Sequence, residues 1–171
     1  MNIVLVNPEI PQNTGNIART CAATATHLHL IEPFGFQLND KYLKRAGLDY
    51  WHLMSYTVYP DFHHFLSAHK GSNIYYATTK APRDYAAISY QMDDYLVFGS
   101  ETRGLPENLL SNVYNHCVRI PMISHARSLN LSNAVAIILY EALRQHDFYN
   151  MTATGTLTGR DEPDLPWLDY I

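Results

Sequence analysis

The chain has 171 residues, 47% of them hydrophobic, and a formal net charge of -4 at pH 7, which predicts one folded domain and excludes a disordered chain. The acidic balance gives no overall signature of a nucleic-acid partner, although local basic patches stay possible. No apolar run approaches the length of a membrane span, and the first residues lack a basic signal region, so we expect a cytoplasmic globular protein.

The first third of the chain alternates short apolar runs with helical spacing. Residues 3–6 are predicted to form a strand, and residues 28–31 a second one. Between them, Pro8 and Pro11 exclude a helix before residue 13. Residues 13–16 then offer N-cap side chains for the helix that follows.

The middle of the chain continues the alternation. A short polar helix is predicted over residues 40–45, and a strand is possible over residues 55–59. Pro60 and Asp61 open a helix that Gly71 ends. Further strands are predicted over residues 74–77, 95–98 and 117–120, with a short helix over residues 106–112 between the last two.

The clearest helix is predicted over residues 130–146. One stripe of this helix is apolar, and the opposite stripe is mixed, with Asn133, Ile137, Tyr140 and Arg144. The mixed stripe is either a solvent face with one stray tyrosine or a surface that packs against a partner subunit. Alternating strands and helices predict an α/β fold with a mostly parallel sheet and helices on both faces.

Polar loops follow four of the predicted strands, and in a parallel sheet the carboxyl ends of the strands lie at one edge. The loop over residues 99–104 has two glycines that bracket Glu101 and Arg103. By itself it is either a tight strand-to-helix turn or a ligand loop. Asn16 and Arg19 share a helix face, which is either a binding surface or an ordinary cap with a surface arginine.

No metal site is predicted. His63 and His64 are adjacent, so on a helix we expect them to diverge, and no carboxylate accompanies the histidines at ligand spacing. Cys21 and Cys117 lie in apolar segments, which is typical of buried free thiols.

Three blocks of this sequence resemble the three motifs of the SPOUT superfamily of RNA methyltransferases. They are residues 13–19 (NTGNIAR), residues 99–106 (GSETRGLP), and residues 119–122 (RIPM) running on to residues 127–134 (RSLNLSNA). Further segments resemble the tRNA (cytidine(34)-2'-O)-methyltransferase family, whose loop usually reads Gly-Pro-Glu where this chain has Gly99-Ser100-Glu101.

The resemblance implies a methyltransferase domain over residues 1–148 with a C-terminal trefoil knot, followed by a tail over residues 149–171. It implies a homodimer that transfers a methyl group from S-adenosylmethionine to the ribose 2'-hydroxyl of the wobble nucleotide, position 34, of tRNA. The product would be S-adenosylhomocysteine. The nucleotide would be cytidine, with modified uridine as an open case. Two alternatives are the same chemistry on another RNA, such as rRNA, and a non-catalytic RNA-binding homologue.

Site residues follow from the matched motifs. Cofactor contacts would fall on Ala77, Gly99, Glu101, Ile120 and Ser128. The catalytic residue would be Arg19, with Ser128, Asn130 and Tyr140 positioning ribose or phosphate. Contacts to RNA are expected from Asn13 and Asn16 and from local cations, namely Lys41, Lys44, Arg45, Arg103 and Arg127. Lys41, Lys44 and Arg45 are equally explained as a solvated helix face.

Overall fold

The computed structural model describes residues 1–37 and 54–157, and every structural statement below concerns this part of the chain. It forms a sheet in which all adjacent strands are parallel, in the order β3-β2-β1-β6-β4-β7-β5. The strands are β1 (Asn2–Val6), β2 (His27–Ile31), β3 (Tyr56–Tyr59), β4 (Ile74–Ala77), β5 (Arg83–Asp84), β6 (Tyr95–Phe98) and β7 (Cys117–Arg119).

Four α-helices accompany the sheet in the described residues: α1 (Pro11–Ala23), α2 (Phe62–Ala68), α3 (Glu107–Asn112) and α4 (Leu131–Arg144). Two of them begin at capping side chains. Asp61 accepts a hydrogen bond from the His64 amide at 2.9 Å, and Asn130 accepts one from the Ser132 amide at 2.9 Å. Such caps satisfy backbone donors that have no partner within the helix.

Helices cover both faces of the sheet. Ile3 and Leu5 of β1 lie in one apolar cluster with buried residues of α1 and α4. Val4 lies in a second cluster with Phe65 of α2 and Leu110 of α3. Because successive strand side chains point to opposite faces, burial on both sides explains why β1 and β6 are apolar without alternation.

The predicted α/β architecture and its strands are confirmed within the described residues, with boundaries that differ by a residue or two. One prediction is wrong: α1 begins at Pro11 rather than after residue 12. A proline at the first helical position loses no hydrogen bond, because that backbone position has no helical acceptor. Ile10 is the N-cap residue and makes no side-chain cap. The helix predicted over residues 40–45 lies outside the described residues.

Helix α4 has the two stripes that its sequence predicts. Val135, Ile138 and Ala142 are buried against the sheet. On the other side, Ile137 and Tyr140 are 37% and 43% exposed, respectively. No helix in residues 1–37 and 54–157 is long and apolar enough to cross a bilayer.

Candidate functional site

The loops after β4, β6 and β7 meet the start of α4 around a cavity of about 530 Å³ at the carboxyl edge of the sheet. The parallel arrangement explains this convergence, because all of these strands end at one edge. The sequence-predicted residues that line the cavity are Asn13, Ala77, Gly99, Glu101, Arg103, Ile120, Arg127, Ser128 and Asn130.

The turn over residues 99–104 forms one wall of the cavity. The Gly104 amide donates to the Ser100 carbonyl at 2.8 Å, and Gly104 has a φ of 67°, in the left-handed region that favours glycine. A Cβ built on Gly99 would lie 2.1 Å from the carbonyl carbon of Gly104. A side chain at Gly99 would therefore collide with the protein's own backbone.

The ends of β4 and β7 form another part of the cavity lining. The Thr78 amide donates to the Val118 carbonyl at 2.9 Å, which joins the ends of β4 and β7. Ala77 and Ile120 flank this junction and line the cavity. The sheet therefore fixes the backbone at this part of the cavity lining.

The carboxylate of Glu101 joins the second motif to the first. It accepts hydrogen bonds from the amides of Glu9 at 2.8 Å and Ile10 at 3.1 Å, and from the Asn13 side chain at 3.0 Å. Charged acceptors make stronger hydrogen bonds than neutral ones. Both carboxylate oxygens are thus engaged with the loop before α1, and the predicted cofactor contact of Glu101 stays a prediction.

Asn13 and Asn130 extend the connection to the third motif. The Asn130 side chain donates to the Asn13 side-chain oxygen at 2.9 Å, while its own oxygen accepts from Ser132. Asn13 is 6% exposed. The three motifs therefore form one hydrogen-bonded network, in which Asn13 near the start of α1 is joined to Asn130, the N-cap residue of α4. Their predicted contacts with RNA and ribose stay predictions.

Three predicted residues are not among those that line this cavity. Asn16 and Arg19 are exposed on α1, and Tyr140 is exposed on α4 with its ring 6.4 Å from that of Phe148. Lys41, Lys44 and Arg45 lie outside the described residues. At the cavity rim, Lys80 pairs with Glu107, a contact that the sequence did not indicate.

Comparison with known proteins identifies the family. The model of the SpoU rRNA Methylase family matches residues 1–140. The chain belongs to this family.

Named relatives agree with this assignment. The chain is 51% identical over 146 residues to a tRNA (cytidine(34)-2'-O)-methyltransferase of Escherichia coli K12, covering 85% of this chain and 93% of the relative. A solved structure concerned with the 2-OH methylation of C/U34 on tRNA is 44% identical, with a TM-score of 0.81, and the match covers 85% and 95% of the two chains. An AdoMet-bound rRNA methyltransferase of Sinorhizobium meliloti is 25% identical, with a TM-score of 0.74 and coverage of 84% and 55%.

Among the described residues, no histidine is one of those that line the SpoU-type cavity. His27 and His29 alternate along β2 and share a strand face, with ring centroids 4.5 Å apart. The prediction that His63 and His64 diverge without a carboxylate is wrong. Possible ligand atoms of Asp61, His63 and His64 lie within 4.8 Å of one another, because Asp61 caps the helix turn that carries both rings. All three side chains are exposed.

Sequence reasoning missed Glu9 and Thr102. The Glu9 carboxylate accepts from the Thr102 amide at 3.1 Å and from its hydroxyl at 2.7 Å. The Thr102 hydrogen bonds, followed by a smaller contribution from the Arg103 charge, lower the pKa of Glu9. The sequence feature that could have indicated this contact is a glutamate shortly after β1, but its partner Thr102 is 93 residues away in sequence.

Proposed function

We propose that this protein transfers a methyl group from S-adenosylmethionine to the ribose 2'-hydroxyl of nucleotide 34 of tRNA, either cytidine or a modified uridine. The observation that carries the proposal is the hydrogen-bonded meeting of the three motif loops around one cavity. The named activity of the Escherichia coli relative, at 51% identity, supports the choice of substrate.

The cavity suits the cofactor. Its volume of about 530 Å³ falls within the usual range for small-molecule sites. Ala77 and Ile120 would offer backbone groups to the adenine, while Gly99 and Ser128 would hold the remainder. Bound S-adenosylmethionine would supply a methyl group that is already activated on a sulfonium, and S-adenosylhomocysteine would be the product.

The chain's own contribution is alignment and charge. A neutral ribose hydroxyl is a weak nucleophile until a base or a cation assists it. Arginine stays protonated in proteins, so we assign Arg19 to stabilising the developing alkoxide rather than to removing its proton. Ser128, Asn130 and Tyr140 would position the ribose and phosphate.

We propose a homodimer with a shared site. Arg19 is exposed and is not among the residues that line the cavity of its own chain. Helix α4 exposes Ile137 and Tyr140, which a symmetric partner would cover. In this arrangement, Arg19 of a second copy would complete each cavity.

The proposal includes the RNA surface and the family's knot. Arg103 and Arg127 at the cavity rim would contact phosphates, with Lys41, Lys44 and Arg45 as further candidates. A tRNA substrate fits the cytoplasmic location expected from the sequence. The placement of β6 between β1 and the earlier strand β4 is compatible with a C-terminal trefoil knot in the domain over residues 1–148, before the tail over residues 149–171.

The direct test is methylation of defined RNAs. Purified protein, labelled S-adenosylmethionine and a panel of tRNA transcripts should give 2'-O-methylation at position 34 alone, mapped by resistance of the adjacent phosphodiester to alkaline cleavage. Transfer to rRNA fragments but not to tRNA would select the alternative substrate. Binding of tRNA and cofactor without transfer to any RNA would select the non-catalytic reading.

Mixed dimers test the shared site. One subunit carries Arg19→Ala, and the other carries Gly99→Val with Ser128→Ala. If sites are shared, one site in the mixed dimer has both defects and the other has neither, so methylation returns after subunit exchange. If each site lies within one chain, both sites stay defective. A monomer in sedimentation at working concentration contradicts the dimer itself.

A further inference from the structure

Glu9 and the turn over residues 99–104 are joined by hydrogen bonds in which each segment supplies both donors and acceptors. The Glu9 carboxylate accepts two kinds of hydrogen bond from Thr102, from its amide at 3.1 Å and from its hydroxyl at 2.7 and 2.9 Å. In return, the Glu101 carboxylate accepts from the amides of Glu9 and Ile10 at 2.8 and 3.1 Å. We name this set of four residues, Glu9, Ile10, Glu101 and Thr102, the reciprocal clamp.

Thr102 lies at the tip of its turn, where the sheet does not hold it. The base of the turn is closed by the Ser100–Gly104 bridge. Gly99, at the same base, lies so close to Gly104 that a Cβ at Gly99 would overlap the Gly104 backbone. Two links join this tip to the loop before α1 and the start of α1: Glu101 accepts from the Glu9 and Ile10 amides and from Asn13, and the Glu9 carboxylate accepts from Thr102. The Glu9 carboxylate is the link that holds Thr102 itself.

The backbone of Glu9 is held from its other side by the loop after β2. The Gly35 amide donates to the Pro8 carbonyl at 2.9 Å. A Cβ on Gly35 would lie 2.7 Å from the Cα of Glu9, so the two chain segments touch directly. Glu9 is therefore fixed against the loop after β2, while its amide and its carboxylate both meet the turn over residues 99–104.

We infer that Glu9 is a positioning residue for the cofactor site, which sets the turn over residues 99–104 in its binding conformation through Thr102. The inference rests on the proposed function, because that turn is where the cofactor would bind. The Glu9 side chain is not among the groups that line the cavity, and it acts through the turn alone. A purely structural role would instead lower stability without changing cofactor affinity selectively.

The experiment compares Glu9→Ala, Glu9→Gln and Thr102→Val in the full chain. Calorimetry should show that Glu9→Ala weakens S-adenosylmethionine binding about tenfold or more, since it removes charge-assisted hydrogen bonds. Glu9→Gln keeps one oxygen that can accept from Thr102 and should recover part of this loss. The Glu9→Ala, Thr102→Val double variant should bind no more weakly than Glu9→Ala, because both changes remove one interaction.

Kinetics separate positioning from general damage. With cofactor at saturating concentration, Glu9→Ala should keep kcat and the KM for tRNA near their wild-type values, while the KM for cofactor rises. The matched control is Glu32→Ala, an exposed carboxylate in the loop after β2, which should leave all three constants unchanged. A fall in kcat with an unchanged KM for cofactor overturns the inference.

Hydrogen exchange of the cofactor-free protein gives a second readout. Glu9→Ala should speed exchange of the Thr102 and Gly104 amides while the β6 amides stay protected. Unchanged exchange at the turn, or an equal increase across the sheet, overturns the inference. If wild-type protein binds no S-adenosylmethionine, the proposed function fails as well. Normal wild-type binding with unaffected variants means that the inference alone fails.

Discussion

At the carboxyl ends of β1 and β6, Glu9, Glu101 and Thr102 join two loops through hydrogen bonds that lie at or near the surface. Near the amino end of β2, polar side chains instead lie within a group of aromatic rings on the α2 face. There, His29 is 4% exposed and its ring contacts Tyr59, Phe65, His69 and Tyr95. The same kinds of atoms therefore serve loop positioning at one edge and core packing at the other.

We call His27, His29 and His69 the histidine group, and their ring nitrogens are hydrogen-bonded within the protein. His69 is hydrogen-bonded to the hydroxyls of Tyr59 at 2.9 Å and Tyr95 at 2.8 Å, so both of its ring nitrogens have partners. Buried polar groups are costly unless they are paired in this way. We therefore expect changes at the amino end to alter stability first, and changes at the carboxyl edge to alter binding and transfer first.

The largest expected effect concerns Arg19, which we assign to catalysis. Arg19→Ala should lower methylation by about 10²-fold or more, because it removes a charge that would stabilise the alkoxide in the transition state. S-adenosylmethionine binding should stay near wild type, as Arg19 is not among the cavity-lining residues. Arg19→Lys should recover little, since an ammonium does not reproduce the guanidinium fork. Single-turnover rates and calorimetry provide the two measurements.

Arg83→Ala, a change of another exposed arginine on the short strand β5, is the control and should keep its activity. Parallel loss of cofactor binding and transfer in Arg19→Ala would show that Arg19 supports the cavity instead.

The second prediction concerns Gly99. Gly99→Ala places a Cβ 2.1 Å from backbone atoms of Gly104, so the turn must move. Cofactor affinity should fall about tenfold or more, and stability should fall by about 1–3 kcal/mol, as overpacking usually costs. Calorimetry and urea unfolding measure these changes. Gly155→Ala, which meets no atom within 4 Å, should change neither. Wild-type cofactor affinity in Gly99→Ala would mean that the turn does not form the binding wall.

The strands and the location of the site could be predicted from the sequence because each follows from a simple physical rule. Apolar runs such as Ile3–Val6 are buried on both faces and have few alternatives, and parallel strands bring their following loops together. The prediction failed at Pro11, because the rule that proline breaks helices has an exception at the first turn. The Glu9–Thr102 and Asn13–Asn130 contacts join residues 93 and 117 positions apart, and no local pattern predicts such pairs.

The third prediction concerns the pH dependence of stability, which we assign to the histidine group at the amino end of the sheet. Burial is the main cause that lowers the pKa of His29 to about 3, and it also lowers the pKa values of His27 and His69. The folded state therefore favours neutral rings, and stability should fall as pH falls below the unfolded value of about 6.5. One histidine accounts for at most about 1.4 kcal/mol per pH unit.

Urea unfolding at pH 7.5 and pH 5.5 measures this loss. His29→Gln should reduce the difference between the two pH values, whereas His125→Gln, a change of an exposed histidine, should leave it unchanged. Carboxylates such as Glu9 and Asp61 have lowered pKa values and titrate below this window, so they do not obscure it. If the free energy of unfolding falls equally between the two pH values in wild type and in His29→Gln, protonation of His29 is not the cause of the fall.

The smallest expected effect concerns RNA affinity and its dependence on salt. Arg103 and Arg127 lie at the carboxyl edge beside the cavity, whereas Lys70 follows α2, on the side of the histidine group. Each phosphate contact that is removed should lower the log-log slope of tRNA affinity against salt by roughly 0.7 to 0.9. Arg103→Gln and Arg127→Gln should each show this change, and Lys70→Gln should not. Neutralising Lys41, Lys44 and Arg45 together should lower the slope further if that segment binds RNA. An unchanged slope in this triple variant would identify its charges as a solvated face. Equal slopes in the two arginine variants and in Lys70→Gln would contradict the assignment of RNA contacts to the carboxyl edge.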